Sequence, residues 1–333
     1  MKLMMRRLLV FFVLLGFSVQ SYAQSPDKID SLIISPTSYT FQKPKPFTFI
    51  KRIPGDVYDY GRVTFRKKNL WKIGAMVAGT AVLVVLDQPI IDNAKVLGDK
   101  LGLSHESHQS TFFDVKIPVG SKKIDLPLNG PTDLNTSMYF LGDGITHFSI
   151  AGCFWVYGLI DKNNRAKQTA TQLTEAILTT GFATQFLKHI TGRESPYTSS
   201  VPGGLWRVFP NQVEYANDVP SHDAFPSGHL ATAMATVTVI AENYPEYKFI
   251  RPVGYSLMTL LSFAMLNNGV HWASDYPLAL AMGYTFGKIA VVKGRVPLKI
   301  SLHKTLSPVR YGYVHFSPVF FGNTTGGGML FNF

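Results

Sequence analysis

Six uncharged apolar runs, separated by polar loops, constrain the fold of this 333-residue chain more than any other feature. They are 12 to 19 residues long, so most are too short to cross a bilayer unaided but suit buried or tilted helices. The 19-residue run at 252–270 reaches the length of a membrane-spanning helix, and the 17-residue run at 144–160 is borderline. The six runs are 73–86, 144–160, 176–187, 230–241, 252–270 and 276–287.

The composition of these runs predicts an all-α fold with a six-helix bundle core at 67–293. They are rich in alanine, glycine, threonine and leucine, and small residues let helices approach closely. We expect a membrane-associated bundle rather than a fully soluble one. Residues 24–66 are predicted to be an extended lead-in, because their five prolines discourage helix. The connection at 88–143 is long enough to be functional or to carry short elements of its own.

The tail at 294–333 differs in character from the apolar runs. Apolar and polar residues alternate at 298–302, β-branched and aromatic residues follow at 309–321, and a turn cluster spans 323–328. This pattern predicts a short β hairpin. The chain has one cysteine, Cys153, so no intrachain disulfide can form, and its apolar surroundings predict a small core residue.

The N-terminus has the organisation of a secretory signal. Basic residues among the first seven precede a 12-residue apolar stretch at 8–19, and Ser21 and Ala23 supply small residues where a signal peptidase reads. A short membrane anchor is the alternative. Removal of residues 1–23 would place the mature protein outside the cytoplasm, on the periplasmic side. The sequence does not indicate whether it associates with the inner or the outer membrane.

The charge balance indicates affinity for phosphate groups. Removing Lys2, Arg6 and Arg7 with the signal lowers the formal net charge from +11 to +8. A basic surface attracts anionic lipids and phosphate esters, or simply keeps the protein soluble. The basic residues are scattered and not arranged along one predicted helix, so nucleic acid is not an expected partner. The sequence leaves the oligomeric state open.

A Pro-Ser-Gly-His motif ending at His229 comes directly before the run at 230–241. Ser227 is a favoured N-cap, and Gly228 allows close approach of the backbone to a ligand. The unpaired amides and the dipole of a helix N-terminus suit a phosphate oxygen. His229, in the first turn, would then face the same anion; a buried histidine bonded to a backbone carbonyl is the alternative.

Two further segments carry candidate chemistry. His271 and Asp275 are four residues apart, so we expect them on one helix face, where the carboxylate would fix the tautomer of the imidazole. A surface ion pair is the alternative. A metal site is disfavoured, because no cluster of acidic residues or histidines flanks the pair. Lys188 lies in the last turn of a helix that is predicted to end at Gly192. Its alternative role is to stabilise the negative end of the helix dipole, as basic residues near a helix C-terminus commonly do.

Together the three segments resemble the type 2 phosphatidic acid phosphatase superfamily, which includes lipid phosphatases, bacterial acid phosphatases and vanadium haloperoxidases. The family pattern is Lys-x6-Arg-Pro, then Pro-Ser-Gly-His, then Ser-Arg-x5-His-x3-Asp, and the resemblance spans about residues 130–290. It implies a helical bundle and a reaction without metal or organic cofactor. By this match His271 is the nucleophile, Asp275 orients it, and His229 protonates the leaving oxygen.

The same resemblance assigns the phosphate-binding groups. Lys188, Ser227 and the amides of Gly228 and His229 would hold the phosphate. Both family arginines are replaced, one by Ser195 and the other, in the Ser-Arg pair, by Met265. Losing one such donor costs about 10²–10³ in rate.

Arg193 is the nearest residue that could compensate, and we expect it to bind the phosphate, with Arg207 and Arg251 as more distant candidates. We therefore predict a metal-independent phosphatase that acts through a phosphohistidine on a lipid phosphate or a small phosphate ester. A non-catalytic phosphate- or lipid-binding relative is the main alternative, supported by the missing arginines. A vanadium haloperoxidase, with His271 as the metal ligand, is a weaker one.

The signal predicts that the mature protein begins at or near Gln24. Mass spectrometry of the N-terminal peptide from exported material measures this directly. Exported protein that retains Met1 would contradict cleavage.

Overall fold

The computed structural model describes residues 31–34, 37–119, 122–297, 314–321 and 324–331, and within these the chain is mostly helical. The helices are α1 (Thr48–Lys51), α2 (Ile53–Thr64), α3 (Leu70–Lys100), α4 (Leu134–Tyr139), α5 (Gly144–Ile160), α6 (Asn164–Thr191), α7 (Gln212–Asn217), α8 (Gly228–Asn243), α9 (Ile250–Asn267) and α10 (Tyr276–Gly294). The strands are β1 (Ser31–Ile34), β2 (Thr37–Thr40), β3 (Gln109–Val119), β4 (Lys122–Pro131), β5 (Val296–Pro297), β6 (Val314–Phe321) and β7 (Thr324–Phe331).

The apolar runs of the sequence lie in helices α3, α5, α6, α8, α9 and α10, apart from residues 268–270, which follow the end of α9. The chain is therefore predominantly helical, as predicted. Helix α8 packs against α6, α9 and α10, and α6 also contacts α5. The apolar core lies mainly along α8, where Leu230, Ala231, Ala235 and Val239 are at most 1% exposed.

The expectation of an extended lead-in is wrong for residues 48–64, which form α1 and α2. Pro54 lies in the first turn of α2, where its missing amide hydrogen has no intrahelical acceptor to lose. Strands β1 and β2 pair antiparallel, with Ser31 opposite Thr40. The predicted signal at 1–23 lies outside the described residues.

The long connection at 88–143 carries elements of its own. Helix α3 continues to Lys100 with Pro89 inside it, and β3 and β4 then form an antiparallel hairpin with Gln109 opposite Pro131. In the tail, which forms a separate unit, β6 pairs antiparallel with β7. The alternating segment at 298–302 lies outside the described residues.

Among the described residues, one helical segment, Lys67–Lys100, has the length and composition needed to cross a membrane. On length alone, the sequence favours the run at 252–270 as the membrane-spanning helix. The corresponding helix α9 carries Arg251 and several hydroxyl and amide side chains, whereas α3 is longer and its apolar window is almost unburied. Cys153 is exposed on α5, so its assignment to the core is also wrong.

Close packing of α10 on α8 depends on Gly283. A Cβ at this position would lie 2.1 Å from the carbonyl oxygen of Ala231 and 2.9 Å from Cβ of Met234. Gly283→Ala should lower the free energy of unfolding by about 1–3 kcal/mol, because the backbone contact cannot yield. Denaturant unfolding of the purified protein measures the change.

Gly79→Ala is the matched control. Gly79 is an exposed residue of α3 with no atom within 4 Å of the added methyl group. We expect it to raise the free energy of unfolding by roughly 0.5–1 kcal/mol through helix propensity. Equal effects of the two substitutions would contradict the proposed packing constraint.

Candidate active site

Lys188 lies in the last turn of α6, which ends as predicted. Gly192 caps the helix in the left-handed region (φ 51°), and its amide donates to the carbonyl of Lys188. A Cβ on Gly192 would lie 2.2 Å from the carbonyl oxygen of Arg207, so both conformation and space require glycine. The ammonium of Lys188 is nearly buried and lies 3.0 Å from Oδ2 of Asp223. Any phosphate that binds Lys188 therefore competes with this carboxylate.

Ser227 is the N-cap of α8, as the sequence predicted. Its Oγ accepts the amide hydrogen of Leu230 at 3.4 Å, and its side chain is buried. Gly228 and His229 follow as the first residues of the helix, where backbone amides have no intrahelical acceptor. A Cβ on Gly228 would meet one atom, Cγ2 of Thr184 at 3.6 Å, so this backbone is uncrowded. The motif thus presents free amides and the positive end of a 16-residue helix.

His271 is held in one tautomer by a backbone carbonyl. Its Nδ1 lies 2.7 Å from the carbonyl oxygen of Ala224, which can only accept, so Nδ1 carries the hydrogen. The lone pair is therefore on Nε2. Asp275 Oδ2 is a more distant neighbour of Nδ1, at 3.4 Å.

His271 and Asp275 do not share a helix face, which corrects the sequence expectation. His271 precedes a 3-10 turn at Ala273–Asp275, and α10 begins only at Tyr276. The Asp275 carboxylate folds back across this turn, where Oδ2 accepts the amide hydrogen of Trp272 at 2.7 Å. The carboxylate reaches Nδ1 through this turn and not through helical spacing.

The ring of His229 lies beside that of His271, with centroids 6.0 Å apart and an interplanar angle of 67°. The Tyr139 ring also packs against His229, with ring centroids 4.6 Å apart. A Cβ on Gly142 would lie 2.7 Å from that of His229, so the backbone approaches closely there. Burial, followed by the charges of His271 and Lys188, lowers the pKa of His229 from 6.5 to about 3. His229 is therefore neutral at pH 7 until a negative charge enters the site.

Backbone and hydroxyl contacts hold the three motifs together. The amide of Ser227 donates to the carbonyl of Asp275 at 3.1 Å, which joins the second motif to the third. Thr191 Oγ1 donates to the carbonyl of Phe225 at 2.9 Å, which joins the first to the second. The fold thus brings every predicted site residue into one region, although their catalytic and binding roles stay predictions.

Arg193 is fully buried, and carboxylates take up its charge. Nη2 lies 2.6 Å from Asp87 Oδ2, and Nη1 lies 2.6 Å from Asp275 Oδ1. Trp206 and Trp272 lie against the guanidinium, with ring centroids 4.6 and 5.2 Å from Cζ. The role of Arg193 as a phosphate ligand stays a prediction, and in this structure its contacts are with protein groups.

The positions of the two family arginines are closed. Ser195 is 2% exposed, and its amide donates to the carbonyl of Pro220. Met265 is 0% exposed, and the Ser227 hydroxyl lies 3.6 Å from its Sδ. The more distant candidates form their own ion pairs, Arg207 with Glu194 and Arg251 with Glu242.

Sequence reasoning missed Asp87, Asp223, Tyr139 and the carbonyl of Ala224. Asp87 carries a usable signal, because it is the first charged residue after the long apolar run of α3 and would be expensive to bury unpaired. The Ala224 carbonyl carries none, since any residue supplies one. No group of three or more His, Cys, Asp and Glu side chains suited to a metal was found in the part of the chain that the structure describes.

The low pKa of His229 makes stability depend on pH. Between its folded-state value of about 3 and the ordinary 6.5, the unfolded chain binds a proton that the folded protein does not. This contribution to stability is present above pH 6.5 and is lost as the pH falls. The loss is about 2 kcal/mol at pH 5. Burial also lowers the pKa of His147, to about 4, which adds to the loss in the same range.

We therefore expect His229→Gln to weaken the fall in unfolding free energy between pH 7 and pH 5, as measured by denaturant titration. The control is His108→Gln, which removes a half-exposed histidine and should keep the full fall. A wild-type pH dependence in His229→Gln would show that this histidine is not the group responsible.

Comparison with known proteins supports the predicted family. Residues 169–295 match the family model of the PAP2 superfamily, and this segment contains all three motifs. The first part of the resemblance, residues 130–168, and the whole of α3 lie outside the match. Searches of curated proteins and of solved structures found no match. The match agrees with the motif resemblance and identifies residues 169–295 as the part of the chain that is similar to the PAP2 superfamily.

Proposed function

We propose that this protein is a phosphatase that hydrolyses a phosphate ester through a phosphohistidine on Nε2 of His271. Membership of residues 169–295 in the PAP2 superfamily supports phosphatase chemistry in general. The observation that carries the specific proposal is the contact between Nδ1 of His271 and the Ala224 carbonyl. It leaves Nε2 as the nucleophilic nitrogen, beside a second histidine.

The reaction proceeds in two displacements. The lone pair of Nε2 attacks phosphorus as the P–O bond to the alcohol breaks, and His229 gives the departing oxygen a proton. Water then attacks the phosphohistidine and releases phosphate, with His229 taking up a proton from that water. A neutral His229 must first be protonated, and the negative charge of a bound phosphate supplies the reason, because it opposes the burial that lowers its pKa.

Phosphate binding rests on Lys188 and on the N-terminus of α8. The Lys188 ammonium has three hydrogens and can donate to the phosphate as well as to Asp223. The Ser227 side chain and the amides of Gly228 and His229 donate to the other phosphate oxygens. Backbone donors suit this task because they are held in place before the substrate arrives. No metal or organic cofactor enters these steps.

A lipid phosphate is the substrate class that we favour. Exposed apolar side chains cover the first half of α3, including Trp71, Val77 and Val85. Residues 70–86 span about 25 Å at the helical rise, close to the thickness of a bilayer core. Asp87, which contacts the site, is the next residue, so the site would lie where the apolar surface ends. A lipid headgroup at the membrane surface could reach it there, and small soluble esters remain the other substrate class.

The charges at the start of α3 suggest an orientation. Arg66, Lys67, Lys68 and Lys72 are exposed at this end of the helix. Basic residues next to a membrane span favour the cytoplasmic side. Export by the predicted signal would instead leave the start of α3 on the exported side, so these two features indicate opposite orientations of the helix.

A non-catalytic phosphate- or lipid-binding protein is the second candidate. The closed positions of Ser195 and Met265 favour it, as do the ion pairs that already occupy Lys188 and Arg193. A vanadium haloperoxidase is a weaker candidate. Vanadate oxygens also need positive charge around them, and the two arginines that supply it in the family are replaced here by Ser195 and Met265. Turnover of phosphate esters by purified protein distinguishes the phosphatase from both alternatives. Vanadium-dependent bromide oxidation would identify the haloperoxidase.

Separate replacement of His271 and His229 by alanine tests the mechanism. His271→Ala should abolish hydrolysis, because no nucleophile remains. His229→Ala should retain more activity on nitrophenyl phosphate than on a dialkyl-glycerol phosphate, because an acidic leaving group needs no proton donor. Steady-state kcat/KM on both substrates in mixed micelles gives the comparison.

His108→Ala is the control, since this histidine is half exposed, and it should keep wild-type rates. Equal losses on the two substrates in His229→Ala would remove the acid role. Wild-type protein that turns over neither substrate faster than His271→Ala would favour the non-catalytic alternative.

A further inference from the structure

Three buried charges form one ion triad behind the candidate nucleophile. The side chains of Asp87, Arg193 and Asp275 are all 0% exposed. Arg193 lies between the two carboxylates, and both of its Nη atoms make 2.6 Å contacts with them. Charges that are removed from water this completely are stable only when paired, so each member fixes the position of the next.

Ser274, which belongs to the third motif, is hydrogen-bonded to both Asp87 and Arg193. Its amide donates to Asp87 Oδ1 at 3.0 Å, and its hydroxyl donates to Asp87 Oδ2 at 2.5 Å. Arg193 Nη1 in turn donates to the same hydroxyl oxygen at 2.6 Å. The turn that carries Asp275 is thereby attached to α3, a helix outside the PAP2 match.

Arg193 is linked to both acceptors that neighbour Nδ1 of His271. Its guanidinium holds Asp275, whose Oδ2 lies 3.4 Å from Nδ1. Its main-chain carbonyl accepts the amide hydrogen of Ala224 at 3.0 Å, and the carbonyl of Ala224 lies 2.7 Å from Nδ1. One residue therefore braces the backbone and the side-chain environment of the same imidazole nitrogen.

We propose that Asp87 is a positioning residue for His271, acting through Arg193 and Ser274 to fix the acceptors around Nδ1. This rests on the proposed role of His271 and gives Arg193 a task other than holding phosphate. Asp87 neutralises Arg193 on the side away from Asp275 and accepts from the turn between His271 and Asp275. Without it, the guanidinium and the turn lose their common anchor, and the imidazole loses its fixed tautomer.

Asp87→Asn is the direct test, because it keeps the shape of the side chain. In either orientation the new NH2 group faces a donor, Arg193 Nη2 or the Ser274 amide, so the triad must rearrange. We expect kcat to fall about 10- to 100-fold on nitrophenyl phosphate, by analogy with groups that orient a metal-binding imidazole. KM and the Kd of inorganic phosphate should stay unchanged, because the phosphate ligands are untouched.

Nuclear magnetic resonance of protein labelled with ¹⁵N-histidine reports the tautomer without requiring turnover. We expect one His271 tautomer, with hydrogen on Nδ1, in the wild type and a mixture of both in Asp87→Asn. A wild-type protein without phosphatase activity would overturn the proposed function, yet this spectroscopic difference would still test the positioning role. Asp92→Asn is the matched control, an exposed aspartate on the same helix, and should change neither kcat nor the spectrum.

Ser274→Ala is the second variant and serves if Asp87→Asn does not fold. It removes the hydroxyl that Asp87 and Arg193 share, leaves all three charges in place, and should lower kcat in the same direction but less. Wild-type kcat together with a single His271 tautomer in both variants would overturn the proposal. Losses confined to KM and to the affinity for inorganic phosphate would overturn it too, and would show that Arg193 binds the phosphate.

Discussion

The pairing of Arg193 with two buried carboxylates is the interaction on which the geometry of the site depends. Asp87 comes from α3, Arg193 from the loop after α6, and Asp275 from the turn before α10. Because none of these charges can be solvated, the three elements must meet in an arrangement that pairs them. A planar guanidinium with several donors can satisfy two carboxylates at once, which a lysine could not.

This triad changes the electrostatics of the site relative to the family pattern. Positions that carry arginine in the family are occupied by Ser195 and Met265, and the nearby positive charges of Lys188 and Arg193 are each opposed by a carboxylate. A bound phosphate is therefore stabilised mainly by the amides at the start of α8. Lys188 adds less than a free ammonium would, because Asp223 already offsets part of its charge. The neutral state of His229 at pH 7 has another cause, because burial, followed by the charges of His271 and Lys188, lowers its pKa.

Helix α3 joins two features that would otherwise be unrelated. Its first half has an exposed apolar surface of membrane-spanning length, and its second half begins with a buried aspartate inside the site. If the first half lies in a bilayer, the triad fixes the distance between the bilayer and His271. The geometry thereby links the proposed lipid substrate to the proposed mechanism through a single continuous helix.

The sequence by itself determined the helical class, the N-cap at Ser227, the helix end at Gly192 and the resemblance of residues 169–295 to the PAP2 superfamily, because each depends on local pattern or motif spacing. It did not determine the helices at 48–64, the exposure of Cys153 or the helix with membrane-spanning character. Only the tertiary structure decided the partners of Arg193 and the acceptor of His271. Asp87 and Asp275 are distant in sequence from Arg193. The acceptor at Ala224 is a backbone carbonyl, which every residue has, so the residue type gives no sign of it. Local spacing cannot encode such contacts, since they exist only when separate elements are packed together and their buried charges must find partners.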